Sequence, residues 1–402
     1  MAALHLLSPA GFRASGVHAG IKTTQAPDIG LLICDTPATA AAAFTTNQVV
    51  AAPVVVGKKH IAHGSLRGVV VNSGNANACT GKQGEKDAYR MCQLAGTIAR
   101  CAPIQILPSS TGIIGHPMPM AKIERGIVEA GQYLGNGLEH ANLFADAIMT
   151  TDLKRKTAAV HFSVGTQRIV IAGVCKGSGM IGPRLAVPHA TMLAFLTTDA
   201  QIAAPLLRKL LNAAAIKSFN AVTVDDHAST NDTACILASG ASGARIASAR
   251  LAKAFAAALD EVCQSLAHQI AADGEGATKV VAITVQKARS EQEAQLMARA
   301  IANSPLVKCA MNGNDPNWGR ILSAAGMTAA KFDPARAALK LQGTVVFSRG
   351  RPVPFEPAAV SASLRGPEVQ VELTCNLGGG SATCWTCDLS KSYVTINADY
   401  HT

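Results

Sequence analysis

The loop Gly177-Ser178-Gly179-Met180-Ile181-Gly182 follows a β-branched run, Arg168 to Val174, and Pro183 and Pro188 follow it within one or two turns. Glycines spaced G-x-G-x-x-G make a dinucleotide site only when the loop opens straight into a helix whose N-terminus receives the pyrophosphate. Each proline pushes the residue before it out of helical geometry, so no such helix is expected here. Asp199, at the distance of a ribose-binding acid, then has no nucleotide to meet. The expectation is a sharp, backbone-exposed bend on glycines, which accept conformations that other residues resist.

The bend leads to Ala190-Thr191-Met192-Leu193. One reading makes Thr191 the cap of a helix running on through the apolar segment to Ala200. The other makes Ala190–Thr191 a strained peptide bond whose carbonyl the Thr191 hydroxyl attacks. Cutting there leaves an α-amine beside the hydroxyl, and that amine can take the hydroxyl proton and turn an inert side chain into a nucleophile.

Elsewhere the chain alternates strands and helices. Gly68-Val69-Val70-Val71 reads as a strand, Gly84 to Cys101 and Met120 to Tyr133 as helices, and Ala158 to Val164 with Arg168 to Val174 as a hairpin around Gly165-Thr166-Gln167. Alanine-rich helices are expected over Ala204 to Ala214 and Ala247 to Ala272, then a strand over Val280 to Val285. Sheets covered by helices give an α/β or α+β layered fold. A change of texture near Lys287-Ala288-Arg289-Ser290 divides the chain into 1–287 and a smaller domain 288–402 that opens with a helix over Glu291 to Asn303.

With 402 residues the chain can bury a large core without metal or disulfide staples. Its eleven cysteines are an odd set in apolar surroundings, which suits reduced core residues. Cys384-Trp385-Thr386-Cys387 is the one close pair, and a zinc site would want a second pair that is not evident. The formal charge of +10 is dispersed, with few aromatics to stack on bases, and suits small anionic substrates better than nucleic acid. The longest apolar run, Leu31 to Phe44, is broken by Asp35 and Pro37, so no membrane span is expected. The opening residues lack a basic n-region and a sustained apolar core, which points to the cytoplasm.

Three further loops suit acyl transfer or structure. Pro108-Ser109-Ser110-Thr111-Gly112-Ile113-Ile114-Gly115 offers hydroxyls and close-approaching amides for a developing oxyanion. Asp273-Gly274-Glu275-Gly276-Ala277-Thr278-Lys279 sets an acid between glycines, either to meet an ammonium group or as a solvated turn. Asn312-Gly313-Asn314-Asp315-Pro316-Asn317-Trp318-Gly319-Arg320 is dense in turn formers and reads as an ordered structural loop.

Together, Asn72-Ser73-Gly74-Asn75-Ala76-Asn77, Ser110-Thr111-Gly112, Met149-Thr150-Thr151-Asp152, Lys176-Gly177-Ser178-Gly179-Met180, Ala190-Thr191-Met192-Leu193, Asp273-Gly274-Glu275-Gly276, Asp315-Pro316-Asn317-Trp318-Gly319-Arg320 and Asn397-Ala398-Asp399-Tyr400 resemble the ornithine acetyltransferases, also called glutamate N-acetyltransferases, of the arginine pathway. The likeness runs from Phe12 to Thr402. It implies an α+β, helix-sheet-sheet-helix sandwich with a smaller α/β C-terminal domain. It also implies self-cleavage at Ala190–Thr191 into an α chain, 1–190, and a β chain, 191–402, assembled as α2β2. By the resemblance Thr191 carries an acetyl group from N-acetylornithine to glutamate, Thr111 and Gly112 form the oxyanion pair, and Thr150, Lys176, Thr191, Glu275, Asn397 and Thr402 contact substrate. No cofactor is implied. The chemistry agrees: Lys176 suits a carboxylate, Glu275 an ammonium, and a free-amine threonine needs neither histidine nor metal.

The chain departs from the family's usual pattern in a longer link, Pro183 to Ala190, in His227-Ala228 within Val224 to Asp232, and in Leu153-Lys154-Arg155-Lys156. Asp225, Asp226, His227 and Asp232 admit a metal cluster or a plain solvated loop. The activities left open are transfer between ornithine and glutamate, additional use of acetyl-CoA as donor, hydrolysis by an N-terminal-nucleophile amidohydrolase or aminopeptidase, and an uncut binding-only relative.

Overall fold

A computed structural model describes residues 3–182 and 192–399. The first unit contains β1 (Phe12–Val17), β2 (Ile29–Phe44), α1 (Ala52–His60), β3 (Ser65–Asn75), α2 (Gly81–Ala99), β4 (Ile106–Ile113), α3 (Met120–Gln132), α4 (Leu138–Ile148), β5 (Lys156–Val164), β6 (Gln167–Lys176), β7 (Leu193–Thr198), α5 (Ala204–Lys217), β8 (Thr233–Ala238) and α6 (Ala249–Ala272). One sheet runs β4-β3-β2-β8-β7-β6-β5, with β1 on β2.

This sheet folds over on itself. The β2–β3 register breaks between Ile33 and Ala38, where Asp35, Thr36 and Pro37 are exposed, so β2 pairs first with β1 and β3 and then with β8. Strand side chains alternate between faces. Leu32, Val69, Val71 and Leu107 from one half therefore meet Phe44, Val174, Phe195 and Leu237 from the other in a central core. On the outer faces, Leu31, Ile33 and Val70 pack under α2 and α3, while Ala41, Ala43, Ile171, Ala194 and Ile236 pack under α5 and α6. The order helix, sheet, sheet, helix is the layered α+β fold that the sequence implied.

The second unit contains β9 (Val280–Ala288), α7 (Glu291–Asn303), α8 (Pro305–Asn312), α9 (Trp318–Gly326), β10 (Ala338–Leu341), β11 (Thr344–Ser348), β12 (Arg351–Pro352), α10 (Pro357–Ser363), β13 (Glu368–Thr374), β14 (Gly380–Cys387) and α11 (Lys391–Asp399). Its sheet is ordered β12-β11-β10-β13-β9-β14 around its own apolar core. The change of sheet falls between Ala272 and Val280 rather than at 287/288, because β9 is hydrogen-bonded along its length to β13 and β14. The texture change near Lys287 marks only the turn at the end of that strand, where Lys287 takes φ 52°.

One local reading changes, and the expectation that the glycine loop is no dinucleotide site holds. Leu193–Thr198 is a strand, parallel to β8 and buried throughout, so the helix-cap reading of Thr191 fails. β6 lies between antiparallel β5 and β7, whereas a dinucleotide unit needs parallel neighbours. Asp199 instead accepts hydrogen bonds from the amides of Val170 and Ala10. Among the described residues, no helix is long and apolar enough to cross a membrane.

Candidate active site

Parallel pairing of β3 with β4 sets Ser73 beside Thr111 and Gly74 beside Gly112. Gly112 takes φ 133°, and a Cβ there would lie 2.4 Å from the Gly74 carbonyl carbon and 2.5 Å from the Asn75 nitrogen. Only glycine fits such a contact. The Asn72–Asn77 motif locks the neighbouring turn with its amides: Asn72 accepts from the Ser110 hydroxyl at 2.6 Å and donates to the Asn75 carbonyl at 2.8 Å. Asn75 in turn accepts from the Asn77 N–H at 2.8 Å.

Lys176 ends β6 and points toward this turn, its ammonium 3.4 Å from Thr111 Oγ1. It is buried, which pulls its pKa below the usual lysine range, and the repulsion of Lys156 adds to that; Asp152, Asp232 and Glu275 pull the other way. A buried ammonium of this kind suits an anionic group of a ligand.

Asp152 joins two of the expected substrate loops. Its Oδ2 accepts from the Thr150 N–H at 3.0 Å and its Oδ1 from the Gly177 N–H at 2.6 Å. Lys156 donates to Asp152 at 2.7 Å and to Asp273 at 2.5 Å, and Asp273 also accepts from the Leu153 N–H at 3.0 Å. Burial alone would raise the Asp152 carboxyl; the Lys176 and Lys156 charges and the Gly177 N–H outweigh it and hold the pKa at about 2. Lys156 is driven above the usual lysine range, because Asp152 and Asp273 outweigh its desolvation.

Glu275 follows Asp273 on the same loop and is buried. Its N–H donates to the Ser178 carbonyl at 3.1 Å, its carboxylate accepts from Asn397 Nδ2 at 2.9 Å, and Gly179 faces it so closely that a Cβ would lie 2.3 Å from its carboxyl carbon. Asn397 sits on exposed α11. The structure thus brings Thr111, Gly112 and Lys176 together, ties Thr150 to the Lys176 turn through Asp152, and pairs Glu275 with Asn397. Ala190, Thr191 and Thr402 lie outside the described residues. Met192, next in chain to Thr191, is described: its N–H donates to Asp232 at 2.5 Å, and Leu193 pairs with Lys176 across β6 and β7.

The remaining motifs have structural work. Asn312 donates to Asp388 at 2.7 Å, and Asp388 accepts from the Thr278 and Lys279 amides just beyond Glu275, so this loop braces the glutamate from behind. Trp318 stacks on Phe347. Cys384 and Cys387, three apart on a strand, face opposite sides, one in each core, and burial pushes both thiols up, Cys384 to about 11. They form no redox pair, and all eleven cysteines are free. Asp225 spends its oxygens on the amides of Met180 and Ile181, and the described residues hold no cluster of three or more metal-ligating side chains.

Sequence reasoning gave no bridging role to Lys156 or Asp273, and offered Asp225 and Asp232 only as metal ligands or a solvated loop, whereas Asp225 and Asp232 accept backbone N–H groups. Their only signal was charge set among apolar or glycine-rich neighbours.

Fold and site together define a layered α+β protein with a buried ammonium, a buried carboxylate and a glycine-opened strand end around one point of the chain. The chain belongs to the ArgJ family, whose model matches residues 13–402. It is 41% identical over 402 residues to the arginine biosynthesis bifunctional protein ArgJ of Rhodopirellula baltica, covering 99% of this chain and 97% of the relative. With the protein of the same name from Symbiobacterium thermophilum it shares 44% over 400 residues, 98% of each chain. Among solved structures, ArgJ of Bacillus halodurans aligns with TM-score 0.49 at 36% identity over 51% of this chain and 97% of that one. The ornithine acetyltransferase of Mycobacterium tuberculosis, complexed with ornithine, aligns with TM-score 0.44 at 38% identity over 46% of this chain and 98% of that one.

Proposed function

We propose that this chain is an acetyltransferase of arginine biosynthesis that moves the acetyl group of N-acetylornithine to glutamate. The observation that carries the reading is the 41–44% identity over nearly the full chain to proteins named for arginine biosynthesis, joined to a site in which a cation, Lys176, and an anion, Glu275, suited to an amino acid lie beside the Gly177–Gly179 turn.

In this reading the chain first cuts itself. The Thr191 hydroxyl adds to the Ala190 carbonyl carbon, the Ala190–Thr191 C–N bond breaks, and the hydroxyl proton leaves with the new α-amine. Water then hydrolyses the ester, giving an Ala190 carboxylate and a free threonine side chain. In turnover that α-amine takes the hydroxyl proton as Oγ attacks the acetyl carbon of N-acetylornithine. The amides at Thr111 and Gly112 receive the oxyanion, and ornithine departs with the proton on its amine; the neutral glutamate amine then attacks the acetyl carbon, the Oγ–acetyl bond breaks, and the amine's surplus proton passes through the Thr191 α-amine to Oγ. Lys176 holds the substrate carboxylate, and Glu275, supported by Asn397, the ammonium; Thr150 and Thr402 complete the contacts. Donor and acceptor use one pocket in turn, so the kinetics are ping-pong. The same reading has two α and two β chains assembling in the cytoplasm.

The word bifunctional in the relatives' names favours a second reading alongside the first, in which acetyl-CoA also loads Thr191. Incubating purified protein with N-acetylornithine and glutamate tests the first: ornithine and N-acetylglutamate are expected in equal amounts. Acetate released without glutamate would instead mark a hydrolase. Acetyl-CoA with glutamate tests the second.

A further inference from the structure

α11 carries Asn397 to Glu275, yet the helix has little to hold it. Within Lys391–Asp399, Tyr393 alone is not exposed. Its ring packs against the apolar core under α5 and α6, and its hydroxyl donates to Asp225 Oδ2 at 3.3 Å. A tyrosine whose apolar body is packed and whose hydroxyl is paired attaches a helix firmly for the area it covers. Burial, and then the Asp225 charge, hold the phenol above its usual pKa, so it stays a donor.

The far end of that contact is fixed without the tyrosine. Asp225 also accepts the Met180 N–H at 2.8 Å, the Ile181 N–H at 2.7 Å and the His227 N–H at 3.2 Å. The backbone at Tyr393 is pressed onto the Glu275 loop: Gly276 takes φ 69°, and a Cβ there would run into the Tyr393 nitrogen. Ser390, just before the helix, donates to the Gly276 carbonyl at 2.6 Å.

One turn further on, the Asn397 amide has two N–H donors to place. Its nitrogen lies 3.0 Å from the Tyr393 carbonyl and 2.9 Å from Glu275 Oε2, so it bridges the two. The direction in which Asn397 points is therefore set from Tyr393 itself.

We infer that Tyr393 is a positioning residue for the substrate ammonium: it pins α11 so that Asn397 stays on Glu275 and presets that carboxylate for the side-chain ammonium of N-acetylornithine. The inference rests on the function proposed above, in which Glu275 takes the ammonium. The α-amine of N-acetylornithine is acylated, so its side-chain amine is the one ammonium it offers. A carboxylate already aimed by Asn397 meets it without the cost of ordering a loose side chain.

The test compares N-acetylornithine with N-acetylnorvaline, whose side chain stops short of the amine. Each is read as a KM where it is turned over and as an inhibition constant against N-acetylornithine where it is not, with circular dichroism on every variant. Tyr393→Ala is expected to weaken N-acetylornithine about tenfold, the order of one hydrogen bond to a charged group. Its kcat, and its affinity for N-acetylnorvaline, are expected to stay within about twofold. Tyr393→Phe, which keeps the ring and loses the donor, is expected to fall in between. In an Asn397→Ala background, Tyr393→Ala is expected to add less than about twofold, because the two residues act through one contact. Equal weakening of both compounds, or of neither, in a folded Tyr393→Ala would overturn the inference, as would full additivity with Asn397→Ala. Should Tyr393→Ala fail to fold, Tyr393→Phe decides by the same comparison. A wild type that takes no acetyl group from N-acetylornithine would remove the proposed function, and one that binds both compounds alike would remove Glu275 from the ammonium site; either takes the inference with it.

Discussion

Lys156 stands between Asp152 and Asp273, 2.7 Å from the first and 2.5 Å from the second, and all three are buried. This ion triple fastens three loops at one point: the Thr150 turn, the Gly177 turn after Lys176, and the loop that carries Glu275. Groups from distant parts of the chain that are proposed to meet substrate therefore share one internal anchor.

Replacing Lys156 with Met leaves two buried carboxylates facing each other without their cation. Breaking a buried pair from one side costs about 3–5 kcal/mol. Thermal unfolding of Lys156→Met should show a loss of that size, with KM for both substrates raised in whatever protein folds. An unchanged melting temperature would mean that the anchor carries no load.

The triple also sets a pH window for stability. Asp152 has a folded pKa of about 2, below its ordinary 3.8, so its contribution is complete above 3.8 and is lost as pH falls toward 2. Lys156 is raised above 10.5, so its contribution is complete below 10.5 and is lost as pH rises beyond its folded value. Lys176 runs the other way: its lowered pKa makes its charge a burden on the fold, and it sheds its proton at a lower pH than an ordinary lysine. Melting temperature should be flat across neutral pH and fall in strong acid, while KM for the two carboxylate-bearing substrates should climb on the alkaline side before general unfolding begins.

Local patterns were legible in the sequence because local physics fixes them. The β5–β6 hairpin turns at Gly165 with φ 59°, and α7 begins where the Ser290 hydroxyl accepts the Glu293 N–H, so both followed from their own residues. β7 was obscure because it is buried on both faces and shows no alternation to separate a strand from a helix. The change of sheet before Val280 was obscure because β9 pairs with β13 and β14, strands far along the chain, and nothing near Val280 announces them. Thr111, Gly112, Lys176 and Glu275 were reached through whole motifs. The ion triple was not, since its partners meet only in the fold.

Gly112 is where backbone shape and chemistry coincide. Alanine there would force its Cβ into Gly74 in a conformation that side chains resist, displacing the amides expected to receive the oxyanion. Removing one such donor lowers kcat by about a hundredfold to a thousandfold. Steady-state kinetics of Gly112→Ala should show a fall of that order in kcat, with far less change in KM.

Gly179 leaves room for the Glu275 carboxylate. In Gly179→Ala the new methyl group would meet the Glu275 carboxyl carbon at 2.3 Å, so the side chain must swing away and release Asn397. A hydrogen bond to a charged group contributes about 1.5–3 kcal/mol, so KM for the amino-acid substrates should rise about tenfold or more. Folding should be unaffected, because the atom that yields is the end of a flexible side chain. Unchanged KM values would remove Glu275 from the substrate site.

Thr191, freed at the N-terminus of the β chain, is proposed to carry the acetyl group. Purified protein is mixed with N-acetylornithine in the absence of glutamate, quenched in acid, digested and sequenced by mass spectrometry. One acetyl group is expected on the peptide that begins at Thr191, on the side-chain oxygen as a hydroxylamine-sensitive ester that disappears when glutamate is added. Acetyl on any other side chain, or none on a protein that turns over, would contradict it.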